Sequence, residues 1–245
     1  MEDVVRRHFE LNETAVTILA EERYIAVAER SVFETREEIE RFVAADPLFR
    51  DTLEPYQEPA SAHPIIKRMC DAARLADVGP MAAVAGVIAD EAVDAMVSAG
   101  SKHCVVDNGG DIAMLLSESV DVGIFTLNPK FQGLGLRFGP SKDRCSVCTS
   151  SSTVGPSISL GVAEAATVFS PDAAVADACA TRLGNLVKSD EEEVIKGALE
   201  DVTWIPGVDG ALVIVGDKMA VKGKVPKIVK VRLDPDAISR RQLVQ

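Results

Sequence analysis

The chain has 245 residues, of which 47% are hydrophobic and 26% are charged, the balance of an ordinary globular protein. Its net charge of −12 disfavours a nucleic-acid partner, because phosphate backbones are bound by basic surfaces. No apolar run is long enough to cross a bilayer, the first residues lack the apolar stretch of a signal peptide, and five scattered cysteines do not form a disulfide framework. We therefore expect a single cytoplasmic domain over residues 1–245, with no membrane partner.

The N-terminal part of the chain is predicted to begin with strands. Two β-rich runs, 14–20 and 24–28, are separated by three charged residues and predict a hairpin. Apolar residues at helical spacing predict a short amphipathic helix over 34–45. The stretch 47–62 carries three prolines, so it is predicted to be irregular and is the candidate for an internal linker.

Helices and strands then alternate without a regular order. Helices are predicted over 63–77, where Pro64 takes the first position, and over 81–98, which is rich in alanine. The remaining predicted strands are 120–127, 134–138, 143–148, 166–169, 211–215, 219–221 and 227–233, the remaining helices are 172–187 and 190–199, and the tail 234–245 is predicted to fray. Because no βαβ alternation is visible, the predicted fold class is α+β, an antiparallel or mixed sheet with packed helices.

The stretch 104–112, which reads CVVDNGGDI, is the strongest candidate for a site. Two apolar runs flank Asp107, Asn108, Gly109, Gly110 and Asp111, and this pattern predicts two buried strands joined by a polar turn. The two glycines allow a positive φ and the close approach of another molecule. A plain β-turn and a turn that also forms the floor of a binding site fit this local sequence equally well.

Asp177 and Thr181 form the candidate metal site. They stand four residues apart in an alanine-rich segment, so a helix would place both oxygens on one face. A carboxylate and a hydroxyl are hard oxygen ligands that suit Mg²⁺ or Ca²⁺. The alternative is a solvated aspartate and a threonine that bonds back to the preceding turn.

Two further segments could bind an anion. The loop 149–157 is rich in small hydroxyl residues that can present backbone N–H groups, and the segment 77–80 opens a helix whose N-terminus attracts phosphate. A surface loop and a simple helix entry are the alternatives, and local sequence favours both of them.

The cysteines and histidines give little support for catalysis. Cys145 and Cys148 form one CxxC pair, whereas zinc needs four ligands, and residues three apart on a strand face opposite sides. His63 and His103 are isolated and are predicted to be packing or capping residues. No serine-hydrolase elbow or common nucleotide loop is present.

Taken together, four segments resemble the ApbE-like superfamily, whose known members are FAD:protein FMN transferases. The resemblance rests on VGPMAAVAGVIADEAVD (78–94), VDNGGDI (106–112), CTSSSTVGPSISLG (148–161) and ATVFSPDAAVADACATRLGN (166–185). It is closest to a cytoplasmic branch of that superfamily with no established activity, and it implies a T-fold-like α+β architecture. It also implies binding of FAD or a related nucleotide, together with Mg²⁺.

The resemblance assigns roles to individual residues but no catalytic residue. The implied cofactor-binding residues are Gly79, Met81, Ala85, Gly86, Asp90, Asp107, Asn108, Gly109, Gly110, Asp111, Thr149 and Ser150, and the implied metal ligands are Asp177 and Thr181. Two features depart from the family pattern. Ala85 replaces the lysine that usually precedes the glycine, and the segment 150–168 contains neither the histidine nor the Asp-Pro pair of the transferases.

Three functions follow from this resemblance. The first is a flavin- or nucleotide-binding protein without the histidine segment of the FMN transferases. A separate hypothesis, based on the acidic composition, is an accessory binding protein without catalysis whose acidic surface docks a protein partner. The second is an enzyme or accessory factor of sulfur assimilation in homocysteine synthesis, with Cys104, Cys145 or Cys148 as thiol carrier. The third is a Mg²⁺-dependent FMN transferase. We expect a small-molecule ligand in each case, and a homo-oligomer remains open.

Overall fold

The structure is a computed structural model that describes residues 4–11, 14–153 and 160–232. Its strands are β1 (Val4–Leu11), β2 (Thr14–Glu21), β3 (Cys104–Asn108), β4 (Asp111–Leu115), β5 (Val120–Gly123), β6 (Leu134–Phe138), β7 (Cys145–Ser150), β8 (Ala165–Ser170), β9 (Gly210–Val215), β10 (Lys218–Gly223) and β11 (Lys227–Lys230). Its α-helices are α1 (Glu22–Ala45), α2 (Leu48–Asp51), α3 (Pro64–Ala76), α4 (Val84–Ser98), α5 (Ala173–Leu186) and α6 (Glu192–Thr203). Short 3₁₀ turns lie at Pro80–Ala83 and Pro129–Phe131.

The strands form one large and one small antiparallel sheet. The large sheet has the order β1-β2-β3-β4-β7-β8-β9-β10, and the small sheet has the order β11-β6-β5. Every strand pair in the described residues is antiparallel. The structure therefore confirms the predicted α+β class, and it confirms the predicted strands 211–215 and 219–221, which pair as the hairpin of β9 and β10.

The large sheet is buried on both faces, which creates two cores. One face packs against the helices and the other face packs against the small sheet. In β3, for example, Cys104 and Val106 face the helices whereas Val105 faces the small sheet, as the two-residue period of a strand requires. This arrangement explains why the central strands read as continuous apolar runs without polar alternation.

The predicted N-terminal hairpin of 14–20 with 24–28 is wrong. Residues 24–28 lie in the first turns of the long helix α1, and β2 pairs with β1 instead. Tyr24, Ile25 and Ala28 belong to the buried stripe of that helix, so their apolar run reflects a helical period. The strand β1 escaped prediction because it is an edge strand with mostly charged, exposed residues in its middle.

The stretch 47–62 packs onto the helix layer. The Tyr56 ring makes edge contacts with Phe42 and Phe49, and its hydroxyl donates to Asp46 at 2.6 Å. Arg74 of α3 donates to Glu58 at 2.6 Å, which ties the end of the stretch to the same layer. The organisation of residues 1–245 as a single domain stays a prediction.

Within the described residues, no single helix has the length and apolarity to cross a membrane. The helical segments Pro64–Ala76 and Pro80–Ser98 meet that criterion only as a pair, and a bend of 104° separates them. Residues 234–245, predicted to fray, lie outside the described residues.

Candidate functional site

The polar stretch predicted to join two strands is a two-residue hairpin turn. Asn108 and Asp111 are paired across it, and Gly109 and Gly110 have φ angles of 68° and 104°. Asp107 accepts a hydrogen bond from the Gly110 amide at 2.8 Å, which fixes the turn from within. A type I′ turn requires a positive φ at both central positions, so backbone conformation alone explains why glycine occupies them. A Cβ atom at either glycine would meet no described atom within 4 Å, so the described residues leave room directly in front of both glycines.

The paired residues Asn108 and Asp111 both face the helix layer. The Asn108 amide donates to the backbone carbonyl of Ala85 at 3.2 Å, which ties the turn to the start of α4. The backbone N–H of Thr149, on the neighbouring strand β7, donates to the Asp111 carboxylate at 3.3 Å. The Thr149 hydroxyl lies on the other face of the sheet, where it shares a hydrogen bond with Thr167 at 2.9 Å. Of the predicted pair on β7, Ser150 is therefore the residue whose side chain faces the helices.

The helices α4 and α5 approach each other at Gly86. The Gly86 amide donates to the Asp177 carboxylate at 2.9 Å. A Cβ atom on Gly86 would lie 2.1 Å from the carbonyl oxygen of Ala173, so only glycine allows this approach. Thr181 lies one turn further along α5 and is half-buried. The structure thus brings the glycine turn, the start of α4 and Asp177 to one place, with Thr181 on the next turn of α5.

The carboxyl groups of Asp111 and Asp177 lie close enough for the charge of Asp111 to act on Asp177. Burial raises the pKa of Asp177 well above its usual range, and the neighbouring Asp111 charge raises that pKa further. Burial also raises the pKa of Asp111, although the Thr149 N–H lowers it. Over the described ranges 4–11, 14–153 and 160–232, no lysine, arginine or histidine lies within ion-pair distance of either carboxylate. Both carboxyl groups are therefore more readily protonated than an ordinary aspartate, and neither has a cationic partner among the described residues.

Asp90, also predicted to bind the cofactor, is engaged inside the protein. Its side chain is 1% exposed and accepts from Arg68 of α3 at 2.5 Å and from the Ala173 amide at 2.7 Å. Arg144 approaches its other carboxylate oxygen at 3.5 Å. Asp90 is thus the compensated counterpart of Asp177.

The other predicted residues lie at the start of the same helix. Met81 is half-buried in the 3₁₀ turn that precedes α4. Gly79 lies against the carbonyl oxygen of Thr52. A Cβ atom on Gly79 would lie 2.0 Å from that oxygen, so close packing explains why this residue is glycine. The assignments to a ligand and a metal stay predictions.

The donor set fits Mg²⁺ only together with an outside ligand. The part of the chain that the structure describes contains no group of three or more histidine, cysteine, aspartate or glutamate side chains placed to hold a metal. The available groups are the two carboxylates and the Thr181 hydroxyl, all hard oxygens. Mg²⁺ commonly takes one or two protein carboxylates and completes its shell with substrate phosphates and water. The residues present fit that mode of binding.

The histidines serve structure, as predicted for His63 and His103. The His63 ring accepts from the Ile65 amide at 3.4 Å and caps α3, and the buried His103 ring accepts from the Ser117 amide at 3.2 Å. The third, His8, bonds Thr17 at 3.0 Å on the edge strands. None of these contacts involves the glycine turn or α5.

The cysteines are free thiols held in the protonated form. Cys145 and Cys148 lie on opposite faces of β7, as their spacing predicted. Burial raises the pKa of Cys145 to about 11 and raises that of Cys148 and Cys104 above the ordinary thiol value. A thiolate is the nucleophilic form, so this environment disfavours thiol chemistry at neutral pH.

Sequence reasoning missed Arg68 and Arg144, which neutralise Asp90. A signal was present for the first of them, because Arg68 stands three residues after Ile65 and four before Ala72, within the buried stripe of α3. A basic residue in such a stripe indicates a buried acidic partner.

An open cavity of about 380 Å³ lies beside Arg68, between α3 and the start of α5, and does not include the glycine turn.

Comparison with known proteins gives the family. A family model described as AbpE bacteria matches residues 1–219. A UPF0280 protein of Methanocella arvoryzae is 47% identical over 232 residues, covering 95% of this chain and 94% of the relative. A UPF0280 protein of Methanosarcina acetivorans is 45% identical over 237 residues, covering 96% and 93%.

Solved structures give the fold. The flavin transferase ApbE from Vibrio cholerae matches with a TM-score of 0.57 and 12% identity, covering 91% of this chain and 97% of that one. The ApbE protein from Thermotoga maritima matches with a TM-score of 0.58 and 12% identity, covering 98% and 100%. The chain therefore belongs to the AbpE family as a UPF0280 protein, and its fold is the α+β fold of the ApbE proteins, which confirms the resemblance found in the sequence.

Proposed function

We propose that the protein binds FAD or a related nucleotide between the glycine turn and the helices α4 and α5, with one Mg²⁺ held by Asp177, Asp111 and Thr181. The observation that carries this proposal is a pair of carboxyl groups that have no cationic partner among the described residues and lie beside the glycine turn. A bound Mg²⁺ would neutralise the pair and attract the phosphates of the nucleotide.

The contrast with Asp90 supports a cation at Asp177. Both aspartates accept a helix amide, yet Asp90 is paired with two arginines and Asp177 with none within the described residues. Unpaired charge in a partly desolvated site is costly, so it is retained where function requires it. A divalent cation is the partner whose charge matches two carboxylates.

The open turn supports a nucleotide as the second component. No atom of the described residues lies within 4 Å of the position that a Cβ atom would take on Gly109 or Gly110, so a ligand can approach the backbone closely here. The flavin class is suggested by the similar fold of proteins named flavin transferases. A protein that receives or uses the flavin is a natural partner under this proposal.

Transfer of FMN is the less favoured activity. The three histidines of the chain all make structural contacts elsewhere, so no histidine is offered as a base at the turn. We place thiol-based sulfur chemistry lower still, because the thiols of Cys104, Cys145 and Cys148 are held protonated.

A calorimetric titration with FAD, with and without Mg²⁺, tests the proposal. We expect Mg²⁺ to strengthen FAD binding. We expect Asp177→Asn to lower the affinity for FAD in the presence of Mg²⁺ by roughly tenfold or more, because a charged ligand is lost. The matched control is Asp121→Asn, which removes a carboxylate that is ion-paired with Arg137 on the small sheet. Absence of FAD binding by the unmodified protein would overturn the proposal. AMP release during the titration would instead indicate FMN transfer.

A further inference from the structure

Two helices hold each other by reciprocal hydrogen bonds. Asp90 of α4 accepts from the amide of Ala173 in the first turn of α5 at 2.7 Å. Asp177 of α5 accepts from the amide of Gly86 in the first turn of α4 at 2.9 Å. In each helix the aspartate stands four residues after the amide, so the helices run antiparallel here with two matched contacts.

Of the two contacts, only the one at Asp90 has a carboxylate that is paired with arginines in the described residues. Asp90 is almost completely buried and lies between Arg68 and Arg144, so its charge is compensated by the protein itself. Arg68 also donates to Asp172 at 3.1 Å, and Asp172 caps α5 by accepting from the Val175 amide at 3.2 Å. The first turn of α5 is therefore fixed by two carboxylates that share one arginine.

Asp90 has no capacity left for a ligand. One carboxylate oxygen accepts from Arg68 and the Ala173 amide, and the other faces Arg144. Its sequence position near Gly86 suggested a lining residue, but its side chain contacts α3, the start of α5 and Arg144, which precedes β7. These contacts connect α4 to the first turn of α5.

We infer that Asp90 is a positioning residue: it fixes the first turn of α5 so that Asp177, one turn later, is set against the Gly86 amide and toward Asp111. This inference rests on the proposed Mg²⁺–nucleotide site and adds a residue that acts on it from outside. Asp90 contributes no atom to the ligand and works through the α4–α5 contact.

Native-state amide hydrogen exchange tests the inference without any ligand. Asp90→Ala removes the acceptor of the Ala173 amide, and we expect exchange at both Ala173 and Gly86 to rise by about tenfold or more. Gly86 is the informative amide, because Asp90 does not touch it and only a shift of α5 exposes it. Asp90→Asn keeps an acceptor for Ala173 and should restore much of the protection at both amides.

Glu91→Ala is the matched control for the loss of charge. Glu91 is the neighbour of Asp90 on α4 and pairs with the same Arg68 at 3.1 Å, but makes no hydrogen bond to α5. We expect it to leave exchange at Gly86 unchanged. Equal exchange at Gly86 in Asp90→Ala and the unmodified protein would overturn the inference, and so would an equal rise in Glu91→Ala.

FAD titration separates this inference from the proposed function. In the unmodified protein, failure to bind FAD overturns the proposed function, while the exchange at Gly86 still decides the role of Asp90. Where FAD binds, we expect Asp90→Ala to lower the Mg²⁺-dependent part of the affinity by roughly tenfold and Asp90→Asn to lower it less. An unchanged Mg²⁺-dependent part in Asp90→Ala would overturn the inference.

Discussion

Asp90 and Asp177 occupy matching positions on two antiparallel helices, and each accepts a backbone amide from the first turn of the other helix, at 2.7 and 2.9 Å. The two sites differ in their charged neighbours. Burial raises the pKa of Asp90 to about 7, although Arg68 and Arg144 lower it, whereas the charged neighbour that shifts the pKa of Asp177 is another aspartate, Asp111, which raises it further. The fold thus contains two equivalent contacts between α4 and α5, of which only the one at Asp90 includes arginines among the described residues.

The uncompensated pair makes stability depend on pH. Burial raises the folded-state pKa of Asp111 and Asp177 above the unfolded value near ~4. The folded state then binds more protons than the unfolded state, so this contribution is fully present below pH ~4 and is lost as pH rises through the folded-state pKa values. Without Mg²⁺, we expect the free energy of unfolding of Asp177→Asn to fall less as the pH rises than that of the unmodified protein, as measured by urea unfolding at a series of pH values. An equal fall in the two proteins would contradict this prediction.

The close approach at Gly86 gives a prediction on stability. Gly86→Ala forces a Cβ atom to within 2.1 Å of the Ala173 carbonyl oxygen, so we expect the free energy of unfolding to fall. A loss of roughly 2–3 kcal/mol is typical of overpacking a rigid contact. Gly197→Ala is the matched control, because Gly197 lies within α6 and its added Cβ would meet nothing within 4 Å. There we expect a gain of roughly 0.5–1 kcal/mol from helix propensity. Similar effects at both positions would show that the helices can move apart.

The turn glycines separate conformation from ligand approach. Gly109 has a φ of 68°, which asparagine adopts readily in a type I′ turn, so Gly109→Asn should change unfolding free energy by less than ~0.5 kcal/mol. Its side chain would extend into the open space before the turn. We therefore expect FAD affinity to fall roughly tenfold or more while stability is kept. Unchanged affinity would place the ligand away from this side of the turn. Gly109→Ala adds the backbone strain and serves as the comparison.

Thiol reactivity tests the sulfur alternative. Burial raises the pKa of Cys145 to about 11 and the pKa values of Cys70 and Cys179 to about 12, so little thiolate is present at neutral pH. We expect a disulfide reagent to react slowly with all five cysteines of the native protein and rapidly after unfolding. A single cysteine that reacts fast in the native protein would support the alternative function, in which a cysteine acts as a thiol carrier. Mass spectrometry of the labelled peptides identifies it.

Local patterns predicted the hairpin turn, the helices α3 and α5 and the structural histidines. Each depends on short-range rules: positive φ at Gly109 and Gly110, Pro64 at the first turn of a helix, and ring nitrogens that cap nearby amides. The same rules failed at residues 24–28, where a helical stripe was read as a strand because five apolar and aromatic residues fit either period.

The amino-acid sequence by itself determined which groups can do chemistry here: a glycine turn with carboxylates, and an Asp-Thr pair four residues apart on a helix. Only the tertiary structure decided how they are used. Asp90 and Asp177 look alike in sequence, but α3 and the residue before β7 bring arginines to the first, and strand β4 brings Asp111 to the second. Compensation of charge depends on contacts between segments far apart in the chain, and short-range patterns carry no record of those contacts.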